Sequence, residues 1–83
     1  MINNWVFVDV DGTLGKPVIE WIEKHSDDCR FVLWSARGEE YARNVADSLG
    51  ISGLFEYVIS KPGHIIDDKG WGWIRHTRVI KRL

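Results

Sequence analysis

Hydrophobic residues along this chain fall into short runs with polar punctuation between them, and the runs alternate between strand and helix periods. Trp5 to Val10 is apolar on both alternating faces until the acids appear, which predicts a strand buried on both sides within a helix-covered sheet. Gly12-Thr13 breaks that strand, and Gly15-Lys16-Pro17 leads into a helix whose first turn suits Pro17. Val18, Ile19 and Ile22 recur at helical spacing, with Glu20, Glu23 and Lys24 facing out, and the turn Ser26-Asp27-Asp28 follows. Arg30 to Trp34 reads as a second buried strand, ending at Ser35-Ala36-Arg37-Gly38. A second helix is expected over Glu39 to Leu49, with Ala42, Val45, Ala46 and Leu49 as its inward stripe. Glu39 and Glu40 suit the positive end of its dipole, and Gly50 suits the position after its end.

Phe55 to Ser60 reads as a third strand and His64-Ile65-Ile66-Asp67 as a short fourth. After Asp67-Asp68-Lys69-Gly70 comes a Trp-rich, basic segment, Trp71 to Leu83, expected to be helical in part. The order β-α-β-α-β-β-α predicts an α/β fold, a small Rossmann-like parallel sheet of about four strands flanked by helices. Neither a repeat nor a linker divides the chain, so residues 1–83 are expected to be one domain. Ligands of such sheets sit outside the carboxyl ends of the strands. The chemically suggestive groups of this sequence fall at those ends.

Composition narrows the picture. A domain of 83 residues buries only about 60–65% of its unfolded surface, so its stability is expected to be modest. The five tryptophans help so small a core to bury enough area. A net charge of −1 gives no whole-protein field that would draw in nucleic acid or an anionic membrane. Cys29 is the sole cysteine, which rules out an intrachain disulfide and a thiolate zinc cluster. It reads as a small hydrophobe at the core's edge rather than a nucleophile. The opening MINNWVFVDV has no basic region or long apolar stretch, so no signal peptide is expected. No run approaches the roughly 18 apolar residues of a membrane span. The cytoplasm is the expected location, and no membrane is expected as a partner.

Asp9 and Asp11 lie two apart at the end of the first strand, so both side chains are expected to leave on one side. Carboxylates so close repel one another, and a divalent cation relieves the repulsion; magnesium favours such oxygens together with waters and phosphate. The plainer alternative is that one acid caps the following turn and the other is solvated. Ser35 ends the second strand before a helix, where its hydroxyl and the amides of Ala36 and Arg37 could hold a phosphate oxygen. A simple N-cap is the alternative. Arg37 reads equally well as a phosphate clamp or as a solvated charge.

Asp9-Val10-Asp11-Gly12-Thr13 behind a buried strand resembles the first motif of the haloacid-dehalogenase-like phosphohydrolases. The resemblance implies that Asp9 is the nucleophile that accepts the phosphoryl group. Asp11 is then the general acid and base, with its backbone carbonyl also on the metal. Such covalent catalysis splits transfer into two easier steps. Ser35 matches the family's second motif, a Ser or Thr at the end of the second strand. Lys61, in Ser60-Lys61-Pro62-Gly63, looks like the third-motif lysine, whose charge offsets the nucleophile and phosphate. A surface lysine in a turn is its alternative. Asp67 and Asp68 resemble the fourth motif, an apolar strand ending in paired acids. Asp67 is implied as a direct magnesium ligand, and Asp68 as the holder of a metal-bound water or of Lys61; a solvated turn is the alternative.

The implied activity is magnesium-dependent phosphomonoester hydrolysis through an aspartyl-phosphate, in a minimal member without a cap domain. An open site suits a phosphorylated substrate, small or macromolecular, or closure by a second subunit in a homo-oligomer. Three rivals stand beside it. The first is a catalytically weak or idle scaffold of the same fold. The second is a receiver-like phospho-acceptor, which fits worse because its phosphorylated acid lies on a middle strand, where this chain has Ser35 or Ser60 instead. The third is a nucleic-acid end-processing phosphatase using Arg75, Arg78, Lys81 and Arg82, cations accompanied by no acid in that segment. A solvated helical face is the plainer reading of those cations. Trp71 and Trp73 read as sheet or oligomer contacts rather than base-stacking groups, and His64 as a packed or solvated residue.

Overall fold

The computed structural model describes residues 4–83; Met1 to Asn3, the start of the segment read as lacking a leader, lie outside the described residues. Strand β1 (Trp5–Asp9), helix α1 (Lys16–Lys24), strand β2 (Arg30–Ser35), helix α2 (Glu39–Leu49) and strand β3 (Tyr57–Ser60) follow in that order. Short 3-10 segments lie at Ser52–Leu54 and Gly70–His76. The three strands form one parallel sheet in the order β1-β2-β3. The expected α/β architecture is therefore present, with three strands among the described residues. Among the described residues no helix is long and apolar enough to cross a membrane.

Alternation divides the sheet into two unlike faces. The register sets Val6 beside Phe31 and Val8 beside Leu33, with Val58 beside Leu33 in turn. On this face Val8, Phe31 and Leu33 join Ile22 of α1 and Ala42 and Ala46 of α2 in one buried cluster, to which Val10 and Ile51 also belong. Both helices thus pack on the same side. The opposite face carries Trp5, Phe7, Val32, Trp34, Tyr57 and Ile59, and Phe7 and Tyr57 there are 47% and 59% exposed. The expectation of a first strand buried on both faces is corrected accordingly. Val32 is buried even so, because the rings around it cover it, Trp5 and Tyr57 stacking with centroids 6.1 Å apart.

Helix α2 occupies the expected span and ends in a Schellman closure. Gly50 takes the left-handed conformation at φ 70°, its amide donates to the Asp47 carbonyl at 3.1 Å, and the Ile51 amide donates to Ala46 at 3.0 Å. That turn swings Ile51 into the core, whereas Leu49, expected in the inward stripe, is 51% exposed.

The predicted fourth strand does not form. His64 to Asp67 has no regular secondary structure, and Ile65 and Ile66 are exposed. A parallel strand needs a crossover of about a dozen residues or more, and only Lys61-Pro62-Gly63 separates this segment from β3. The tail is helical in part, as expected, through a 3-10 segment instead of an α-helix, and residues 77–83 carry no regular structure. Gly70 and Gly72 weaken helix formation at its start, and Thr77, Val79 and Ile80 are β-branched.

Candidate active site

The carboxyl ends of the three strands bring together residues from three stretches far apart in sequence. Asp9 closes β1, Ser35 closes β2, Ser60 closes β3, and Lys61 follows directly. The Lys61 amide donates to the Ser35 carbonyl at 2.9 Å, which carries the β2–β3 ladder one residue past the strand. That bond fixes the lysine's backbone, and its Nζ lies 3.0 Å from Asp9 Oδ1. The reach of Lys61 to Asp9, left open between a third-motif role and a surface turn, is therefore direct. The Thr13 hydroxyl donates to Asp9 Oδ2 at 3.3 Å, so both oxygens of Asp9 have partners.

Asp11 stands in the turn after β1 and has partners of its own. The Tyr41 hydroxyl donates to Asp11 Oδ1 at 2.6 Å, and an Arg37 guanidinium nitrogen lies 3.7 Å from Oδ2. The Arg37 guanidinium also lies over the Tyr41 ring, 3.9 Å from its centroid. Arg37 is thus engaged with Asp11 and Tyr41 rather than wholly solvated. The two acids hold separate sets of donors, Lys61 and Thr13 for Asp9, Tyr41 and Arg37 for Asp11.

The hydrogen bond to Asp11 pushes the Tyr41 phenol above its ordinary range, desolvation adds to this, and the Arg37 charge opposes it. The folded chain therefore keeps this proton to higher pH than the unfolded chain does. The contact's contribution is complete below the unfolded value near pH 10 and is lost as pH rises through the raised folded value. Asp11→Asn is expected to lower the Tyr41 ionisation toward the usual range. Tyrosine ring NMR would read this directly, with Tyr57 as the only other tyrosine and an internal control. An unmoved Tyr41 titration would show that the bond to Asp11 is not formed in solution.

Ser35 and its followers depart from the expected phosphate cradle. Ser35 is buried, and its hydroxyl accepts a hydrogen bond from the Arg37 amide at 3.0 Å. The Gly38 amide donates to the Ser35 carbonyl at 3.1 Å, closing a turn over residues 35–38. Helix α2 starts only at Glu39, so the amides of Ala36 and Arg37 belong to this turn and not to a helix terminus. The Glu39 amide itself donates to the Ser60 hydroxyl at 2.9 Å, tying α2 to the end of β3. Ser35 thereby shapes the loop that delivers Arg37 and Tyr41 to Asp11, a turn-forming use of the side chain.

Asp67 and Asp68 are exposed, and Asp67 Oδ1 accepts from the Lys69 amide at 2.8 Å within its own turn. Among the described residues no group of three or more His, Cys, Asp or Glu side chains is arranged to hold a metal ion. Asp67 and Asp68 therefore do not join Asp9 and Asp11 in one carboxylate cluster, because the strand that was to carry them to the site is absent. The remaining donors still suit magnesium chemically. Asp9 and Asp11 offer hard oxygens, each carboxylate can accept about four hydrogen bonds or metal contacts, and magnesium needs only one or two carboxylates beside water and phosphate.

Sequence reading passed over Thr13, Trp34, Tyr41 and Ser60. Thr13 had a signal, as the last residue of the motif that supplied Asp9 and Asp11. Tyr41 had none, since Arg37 lies before α2 begins at Glu39 and the turn over residues 35–38 sets how the two side chains meet. Cys29 is half-buried at the core's edge as expected, and burial followed by the Asp28 carboxylate pushes its thiol up, away from thiolate chemistry. No family model matches the chain, and no curated protein or solved structure matches it either.

Proposed function

We propose that this chain is a capless, haloacid-dehalogenase-like phosphohydrolase that cleaves phosphate monoesters through an aspartyl-phosphate on Asp9. The observation that carries the reading is the Lys61–Asp9 pair, 3.0 Å apart at the carboxyl edge of the sheet. A lysine there lowers the cost of bringing a phosphate dianion to an anionic nucleophile. Thr13 holds the other Asp9 oxygen at 3.3 Å and so fixes the attacking carboxylate's orientation.

Asp11 is the proton carrier in this reading, protonating the leaving oxygen and later taking a proton from water. Tyr41 and Arg37 orient it. Magnesium would be held by Asp9 and Asp11 and would neutralise charge on the phosphate oxygens. That role would fall to the Asp9 carboxylate and the Asp11 backbone carbonyl, which leaves the Asp11 side chain to carry the proton.

The test is hydrolysis of a generic aryl phosphate with and without magnesium. Magnesium-dependent release of phosphate is expected, and Lys61→Met should reduce it by roughly 100-fold or more, the scale of losing one electrostatic stabiliser. Wild-type protein that releases no phosphate would refute the reading. The detached turn of Asp67 and Asp68 favours a second reading, a binding protein of the same fold with little or no turnover. Magnesium binding without formation of an aspartyl-fluoride complex would select it.

A further inference from the structure

Strand β3 borders the sheet, pairing with β2 alone in the order β1-β2-β3. Its sequence, Tyr-Val-Ile-Ser, favours a strand and has none of the charges or prolines that blunt a free edge. The register shows which backbone groups are left over. Ser35 pairs with Ser60, and its carbonyl accepts from the Lys61 amide at 2.9 Å. In a parallel ladder one residue bridges the two that flank its partner, so Tyr57, Ile59 and Lys61 bond inward to β2. The N–H and C=O groups of Val58 and Ser60 then point out of the sheet, and among the described residues no backbone bond takes them up. Side chains along this edge are open too, Tyr57 being 59% and Ile59 37% exposed.

We propose that this edge pairs with the same edge of a second copy, antiparallel about a two-fold axis, so that two three-stranded sheets become one. Two requirements fix the register. An axis normal to the sheet keeps each face on its own side, so residues of like parity oppose one another. The outward backbone groups must also meet. Setting Ile59 against its own mate satisfies both, because Val58 and Ser60 then oppose each other twice and exchange about four N–H···O bonds. An axis through Val58 would set Ser60 against Glu56, whose amide already donates to Phe31. An axis through Ser60 would set Val58 against Pro62, which has no amide to donate. With the axis at Ile59, Tyr57 comes beside the partner's Lys61, a cation next to an aromatic ring.

The charges along the edge are complementary to themselves. Helix α2 packs over β2 and β3, with Ala42 and Ala46 buried beneath it and Tyr41 reaching Asp11 on the β1 side. Arg43 lies roughly 100° round the helix from Ala42 in the other direction, toward the free edge. Glu39 stands there as well, its amide donating to the Ser60 hydroxyl, and its carboxylate pairs with Arg43 at 3.2 Å. Across the axis the two copies of α2 run antiparallel, so Glu39 meets the partner's Arg43 and Arg43 the partner's Glu39. A two-fold contact requires such a self-complementary patch. The pairing involves no chemistry at Asp9 and stands whether or not the protein cleaves phosphate esters.

Sedimentation equilibrium of the full chain over a range of concentrations reads the association. The contact is small, so a dissociation constant of about 10–100 µM is expected, with the mass rising from 9.6 kDa toward twice that value. Ile59→Lys brings two like charges together on the axis and should weaken association about tenfold or more, with the circular dichroism unchanged. Cysteines in a Cys29→Ala background read the register. Ile59→Cys faces its mate at a non-hydrogen-bonded position, with Cα atoms about 4.5 Å apart, and should oxidise to a covalent dimer. Tyr57→Cys, roughly 14 Å from its mate, should not. Should Ile59→Lys fail to fold, this cysteine pair decides. A protein that stays monomeric throughout, a dimer indifferent to Ile59→Lys, or cross-linking through Tyr57→Cys as readily as through Ile59→Cys would overturn the proposal. Association lost on deleting residues 77–83 would make the tail the occupant of the edge and overturn it equally.

Discussion

Asp9→Asn is expected to abolish phosphate-ester hydrolysis, a loss on the order of 10,000-fold, while leaving the fold in place. The size of the loss follows from the role. An amide is not a competent nucleophile toward phosphorus, and removing a covalent catalyst costs far more than removing a positioning group. The survival of the fold follows from exposure. Asp9 and Lys61 have side chains 31% and 39% exposed, so their ion pair is screened by water and contributes no more than about 1 kcal/mol. Asparagine keeps an oxygen for the Thr13 hydroxyl. Steady-state hydrolysis beside a urea titration checks both halves. Full activity in the variant would mean that another group attacks phosphorus, and a lost unfolding transition would mean that the pair is structural.

Phe31→Ala is expected to destabilise the domain by about 3–5 kcal/mol. Phe31 is 2% exposed and packs edge-on against Trp21 of α1 with ring centroids 6.1 Å apart. At about 0.05–0.15 kcal/mol per residue, a chain of 83 residues has a total stability of only about 4–12 kcal/mol. One such change therefore removes a large share of it. The sharper test is the contrast with Phe7→Ala on the other face. Phe7 is 47% exposed, so its loss should cost about 1 kcal/mol. Urea midpoints for the two variants measure the difference directly. Equal destabilisation would show that the core is not confined to the side where the helices lie.

The contrast also marks what the sequence could reveal. Apolar period and glycine position were enough to place α2 over Glu39–Leu49 and its Schellman end at Gly50, because both are local properties of the chain. The three parallel strands were legible for the same reason. That β1 is covered on one side only was not, since Trp5-Val6-Phe7-Val8 reads the same whether or not a helix lies over Phe7. The fourth strand was an error of the same kind. Ile65 and Ile66 carry a strand's composition, and the short link at Lys61-Pro62-Gly63 denies them a partner. At the site, the nearness of Asp9 and Lys61 was suggested only by motif order. The Tyr41–Asp11 bond depends on how the Ser35 turn aims α2, which no periodicity records.

The strand order β1-β2-β3 has a consequence for how the site comes into being. Each strand pairs with its neighbour in sequence, so loop-closure costs stay low and the sheet can grow from the amino terminus as the chain emerges during synthesis. Asp9, Asp11 and the Arg37–Tyr41 pair can all be in place once α2 has docked. Lys61 comes last, one residue beyond the final strand. Until then Asp9 lacks its counter-charge, and a chain stalled before Ser60 would carry a nearly complete sheet with no lysine beside the Asp9 carboxylate.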